Sequence, residues 1–116
     1  MTTLEVGKRL VELCKQGKSL EGADTLYGNE IVSVEAGGAE VRGKQAVLAK
    51  EKAWAEATEV HSGMVDGPWP NGDRFVVRYK FDVTDKKSKK RMTLDEAALY
   101  TVKDGKITRE EFFYQT

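Results

Sequence analysis

The sequence is poor in the residues on which metal, disulfide and nucleophile chemistry usually depend. Its 116 residues include one cysteine, Cys14, and one histidine, His61, so neither an intrachain disulfide nor a Cys/His zinc cluster can form. There are two prolines and no low-complexity run, which excludes fibrous and disordered classes. Neither sign of charge is in excess: Lys plus Arg and Asp plus Glu both number 19. The field that draws in nucleic acid or an anionic membrane surface is therefore missing, and neither is expected as a partner. Long apolar runs are lacking too. The opening stretch MTTLEVGKRLVELCKQG is interrupted by Lys8, Arg9 and Glu12, so it reads as neither signal peptide nor transmembrane helix, and a cytoplasmic address is expected. No Gly-rich phosphate loop, Ser/His/Asp arrangement, HxxxH or CxxC occurs, so no cofactor and no metal is implied.

What is present is a globular pattern, 40% hydrophobic and 33% charged, long enough to bury a core as one domain over residues 1–116. Val6, Leu10, Leu13 and Cys14 recur at helical spacing, which predicts an amphipathic helix over 3–16 ending at Gly17. Cys14 then reads as a buried small hydrophobe. Ser19 as N-cap, with Leu20, Ala23 and Tyr27, predicts a second helix stopped by Gly28. EIVSVEA (30–36) reads as a strand and GGAEVRG as the loop after it. Lys44 to Ala57 reads as a third helix, with Ala46, Val47, Ala53, Trp54 and Ala57 as one stripe against Lys44, Lys50, Glu51 and Glu56.

From residue 58 onward everything reads as sheet. TEVHSGMV is a strand, DGPWPNGD a turn-rich link, and RFVVRYKFDVT alternates with Phe75, Val77, Tyr79, Phe81 and Val83 on one side. DKKSKK is a solvated hairpin loop. RMTLDEAALYTV and KITREEFFYQ are separated by Asp104-Gly105, the signature of a two-residue type I′ turn. With Lys103 paired to Lys106, an uninterrupted ladder sets Leu99 opposite Glu110, Ala97 opposite Phe112 and Asp95 opposite Tyr114, all on one face. The opposite face is partly apolar as well. Helices covering one side and a homodimer contact on the other would account for both.

Helices followed by long antiparallel strands make an α+β roll: a curved, mostly antiparallel sheet wrapped around three N-terminal helices, with a cone-shaped hollow. Over the stretches ADTLYGNEIVSVEAGGAEVRGKQAV and LYTVKDGKITREEFFY the chain resembles the nuclear-transport-factor-2-like superfamily, in its SnoaL-like polyketide cyclase and ketosteroid isomerase branch. The resemblance implies an acid or base projecting into an apolar hollow that takes a ring-shaped molecule, with cofactor-free isomerase, cyclase or dehydratase chemistry. It equally allows a non-catalytic ligand carrier or a dimerisation module. The first-strand Asp of the isomerases corresponds to Val34, beside Glu35, and their donor Asp falls near Ala97, two residues from Asp95.

Three residues are candidates for acid/base work: Asp95 and Glu110, because carboxyls among Leu99, Phe112 and Tyr114 would be costly without a purpose or a partner, and His61, whose imidazole can serve as acid or base. The alternatives are ion pairing for the acids and a hydrogen-bonded rim position for His61. Tyr27, Glu35, Trp54, Tyr79, Leu99, Phe112 and Tyr114 are the candidates for lining a ligand site, with ordinary core packing as the competing role of the aromatics.

Overall fold

The computed structural model describes residues 1–115. Three helices, two before the first strand and one between the second and third, cover one face of a six-stranded mixed sheet. Helix α1 (Thr3–Lys15) starts on a reciprocal cap: the Glu5 amide donates to Thr2 Oγ1 at 3.2 Å, and the Thr2 amide donates to Glu5 Oε1 at 2.9 Å. Its apolar stripe, Val6, Leu10, Val11 and Leu13, is buried, and Gly7 lets the helix lie against Pro68 and Phe75, where a Cβ would come within 2.9 Å of the proline. Helix α2 (Ser19–Leu26) ends one residue earlier than expected, because Tyr27 is already extended and opens strand β1 (Tyr27–Val34).

Strand β2 (Glu40–Arg42) was expected to be loop. It pairs antiparallel with β1, Val32 opposite Arg42, and closes the sheet edge. Helix α3 (Lys44–Ala57) follows, then β3 (Thr58–Asn71), β4 (Arg74–Asp85), β5 (Arg91–Lys103) and β6 (Lys106–Phe113). β3 runs on through the proline-rich stretch expected to be a link, with register breaks at His61 and between Asp66 and Trp69. The order across the sheet is β2-β1-β6-β5-β4-β3, and β1 and β6 are parallel.

The alternation along β4 holds: Phe75, Val77, Tyr79 and Val83 are buried on the inner, helix-covered face. They join Val6, Leu10, Ile31, Val47, Tyr100 and Ile107 in one core, where the Phe75 and Tyr100 rings stack at 5.0 Å. The Asp104-Gly105 turn has both residues at positive φ (52° and 76°), and Lys103 pairs with Lys106 as expected. Three residues on, the expected register fails. Val102 pairs with Ile107 but Thr101 with Arg109, so Thr108 is a β-bulge. Beyond it every partner is shifted by one: Glu110 faces Tyr100 and Phe112 faces Ala98. A shift of one residue exchanges the faces of a strand. Asp95 and Leu99 therefore do not share a face with Glu110.

Candidate functional site

The inner face of α3 is set by the spacing Val47, Lys50, Glu51, Trp54, which falls on one side of a helix. Val47 is buried, and the next turn carries two charged residues toward the sheet rather than toward solvent. β1 and β6 bring Ser33 directly beside Glu110, and both are fully buried. Tyr27, at the start of β1, completes the cluster.

The hydrogen bonds form one chain. Tyr27 donates to Glu110 Oε1, Ser33 Oγ donates to Glu110 Oε2 at 2.7 Å, and Lys50 Nζ donates to Ser33 Oγ at 2.7 Å. Lys50 also donates to Glu35 Oε1 at 2.6 Å, and Tyr114 donates to Glu35 Oε2 at 2.8 Å. The Lys50 ammonium lies 5.4 Å from the centre of the Phe112 ring. At the other end, the Tyr27 oxygen is 3.2 Å from Glu51 Oε1. A phenol has a single proton and can donate to only one of these carboxyls. The second contact is satisfied when the other carboxyl carries a proton and donates to the phenol oxygen. Glu110 already accepts from Ser33 and Tyr27, which leaves Glu51 as the proton carrier.

The electrostatics agree with that assignment. Burial, then the nearby Glu110 charge, pushes the Glu51 carboxyl up to about 8, so it is largely protonated at neutral pH. Burial also raises Glu110, against the opposing pull of the Ser33 and Tyr27 bonds and the Lys50 charge. Burial would raise Glu35 too, but the bonds from Lys50 and Tyr114 outweigh it and hold Glu35 below its ordinary value. Beside the acids, the Tyr79 and Tyr100 hydroxyls lie 2.7 Å apart, and Cys14 Sγ is 3.9 Å from the Tyr79 hydroxyl. Burial holds both phenols well above their ordinary range and pushes the Cys14 thiol up to about 11.

A hollow of about 280 Å³ lies between the end of α3 and the sheet, lined by Trp54, Ala57, Thr58, Val83, Asp85, Met92 and Leu94. Trp54 is three residues past Glu51, an axial rise of about 4.5 Å. Leu94 is two residues from Glu96 on the same side of β5. The hollow thus lies on the same side of the sheet as the acid cluster, about one helical turn further along α3. A larger depression, about 340 Å³, lies around Ser62, Met64, Lys80, Asp82 and Thr93. These residues alternate onto the outer face, away from the acid pair, so of the two only the smaller hollow lies on the acid pair's side of the sheet.

The residues singled out from the sequence separate accordingly. Glu110, Tyr27, Tyr79 and Phe112 lie on the inner face, Glu35 and Tyr114 end the hydrogen-bonded chain, and Trp54 lines the hollow. Asp95 is on the outer face, in a two-point ion pair with Arg78 (3.1 and 2.9 Å), and Leu99 shares that face. His61 is the unpaired residue of a break in β3, between the pairs Val60–Val83 and Ser62–Asp82, and its Nε2 lies 2.7 Å from Thr84 Oγ1 on the outer side. The bulge at Thr108 and this irregularity are the physical reasons that Asp95, Leu99 and His61 do not meet Glu110. Glu96 takes the inner position expected of Asp95, and burial followed by the Glu35 and Glu110 charges raises its pKa. Ser33, Lys50, Glu51, Glu96 and Tyr100 were not among the expected site residues. The spacing of Val47, Lys50, Glu51 and Trp54 was the available signal for two of them. Among the described residues no group of His, Cys, Asp and Glu has the arrangement of a metal site, and no helix is long and apolar enough to cross a membrane.

The SnoaL-like domain family model matches residues 1–114. A protein from Mesorhizobium loti, described as a SnoaL-like polyketide cyclase, is 46% identical and superposes with a TM-score of 0.94, the match covering 98% of this chain and 100% of that one. More distant structures share the fold. A ketosteroid isomerase-like protein from Catenulispora acidiphila, solved with trimethylamine, is 19% identical, with a TM-score of 0.76 over 98% and 88% of the two chains. An epoxide hydrolase from M. tuberculosis is 12% identical, with a TM-score of 0.75 over 97% and 82%. No curated protein sequence matches the chain significantly.

Proposed function

The chain belongs to the SnoaL-like family, and from that premise we propose that it binds a small, largely apolar, ring-shaped molecule in the hollow beside Trp54 and moves a proton on it without a cofactor. The observation that carries the reading is the pair of carboxyls, Glu51 and Glu110, joined through one phenol. Tyr27 can take the Glu51 proton while giving its own to Glu110, so no phenolate forms and the net result is one proton moved from Glu51 to Glu110. In one state Glu51 is an acid, one helical turn from the Trp54 that lines the hollow; in the other it is a base with its partner protonated. Such a pair can withdraw a proton from carbon next to a carbonyl and return one to a neighbouring atom, as isomerisation, cyclisation or dehydration requires. Neighbours described as a cyclase and an epoxide hydrolase are compatible with chemistry of this kind. A largely apolar hollow of about 280 Å³ suits a molecule of one or two rings, since a cavity of roughly 150 Å³ is enough to take up benzene.

The test is deuterium uptake from D₂O at the carbon next to the carbonyl, across a panel of small cyclic ketones and lactones, with binding followed by thermal shift. Uptake by the wild type that falls about 100-fold or more in Glu51→Gln and in Glu110→Gln supports the assignment. Binding without exchange by any member of the panel leaves a ligand carrier as the function. Neither binding nor exchange overturns the small-molecule reading.

A further inference from the structure

The proton chemistry assigned to Glu51, Tyr27 and Glu110 leaves four members of the hydrogen-bonded chain unused: Ser33, Lys50, Glu35 and Tyr114. Their order in space is a graded path from the interior outward. Glu110 and Ser33 have no exposed surface, the side chains of Lys50 and Glu35 are 28% and 33% exposed, and Tyr114 is 38% exposed. Every link is 2.6–2.8 Å long. Each bond also has the polarity a transfer needs, since Lys50 donates to Ser33 and Ser33 donates to Glu110.

We propose that Ser33 and Lys50 form a proton relay that connects the buried acid pair to solvent at Glu35 and Tyr114. Inward transfer is a concerted shift along two bonds. Lys50 gives a proton to Ser33 Oγ as Ser33 gives its own to Glu110 Oε2, leaving a protonated Glu110, an unchanged hydroxyl and a neutral amine. Water at the exposed Lys50–Glu35 end returns a proton to the amine, so one proton has moved from solvent to Glu110. Outward transfer reverses each step. The Phe112 ring beneath the ammonium and the Glu35 carboxylate beside it keep Lys50 aimed at Ser33. Lys50 and Ser33 are positioning and transfer residues, not catalytic ones, because they act through Glu110.

This inference rests on the acid-pair reading, and its test needs no substrate. The protonated-carboxyl stretch of the acid pair is assigned in the infrared by its change in Glu51→Gln and Glu110→Gln, and its relaxation is followed after a pH jump. The decisive variant is Lys50→Arg, which preserves the positive charge and hydrogen-bond donors but cannot give up a proton. The expected result is relaxation slower by roughly tenfold or more in Lys50→Arg and in Ser33→Ala, with the band itself retained. Wild-type relaxation in Lys50→Arg, together with slowing in Lys50→Met, would assign Lys50 a purely electrostatic role and overturn the relay. Unchanged rates in both Lys50→Arg and Ser33→Ala would overturn it too. Absence of any protonated-carboxyl band near neutral pH would overturn the acid pair, and the relay with it.

Discussion

The two faces of the sheet hold the same functional group in opposite states. On the outer face Asp95 and Asp82 each meet an arginine, Arg78 and Arg91, through paired bonds of 2.7–3.1 Å, and both carboxyls are held below their ordinary value. On the inner side Glu51 and Glu110 share one phenol, Glu110 also accepts from a hydroxyl, and both are raised. The difference lies in desolvation and partner type, not in residue identity. A carboxylate with a guanidinium in water stays ionised and has no proton to exchange near neutrality. One that is buried and shares a neutral partner with a second acid must hold a proton.

The largest expected effect comes from abolishing the boundary between the faces. Inserting one residue between Thr108 and Arg109, with the bulge kept, sets Arg109 opposite Tyr100 and Glu110 opposite Leu99, which turns Glu110 toward the outer face while pulling Arg109 inward. Cooperative thermal unfolding, followed by circular dichroism, is expected to be lost. A variant melting near the wild type would show that β6 absorbs the extra residue without exchanging its faces.

A second effect follows from the proton on Glu51. Its pKa is about 8 in the fold against 4.5 for an ordinary glutamate, so between those pH values the folded chain binds more protons than the unfolded one. Stability therefore falls as pH rises from about 4.5 to about 8 and is flat with respect to this group outside that window. At about 1.4 kcal/mol per pH unit, the loss amounts to several kcal/mol. In Glu51→Gln the slope in urea-derived stability over this range should flatten, and at about pH 8 the variant should be at least as stable as the wild type. An unchanged slope would place the proton elsewhere.

The smallest effect is expected on the outer face. Asp95→Asn breaks an exposed ion pair, which contributes little. Melting temperature and ligand binding should be unchanged within error, both at low and at high salt. Loss of ligand binding in this variant would return Asp95 to the site.

The elements themselves were legible in the sequence because they rest on local chemistry. The Asp104-Gly105 turn, the spacing of Val6, Leu10 and Leu13 in α1 and the alternation along β4 each involve residues a few positions apart. The site was less legible because its pairs are distant in the chain: Tyr27 and Glu110 are 83 residues apart, and Ser33 and Glu110 are 77. Lys50 and Glu51 read as a solvated face because charge on a helix usually is one. What turns them inward is a set of partners supplied by β1 and β6. One extra residue in β6 then exchanged Asp95 for Glu96 on the inner face. Neither faces nor partners can be read past a bulge that leaves no mark in the local composition.

Helix α3 is tethered at both ends. The Gly43 amide before it donates to the Ile31 carbonyl at 2.8 Å, and the Ala57 carbonyl that closes it accepts from the Lys86 amide at 2.9 Å. A span fixed at both abutments cannot swing open as a lid does. Room for a guest beside Trp54 has to come from side-chain rotation or a slight bow of the helix. On the proposed function, the dimensions of the hollow would therefore act as a gauge, discriminating among candidate molecules by girth before any proton moves.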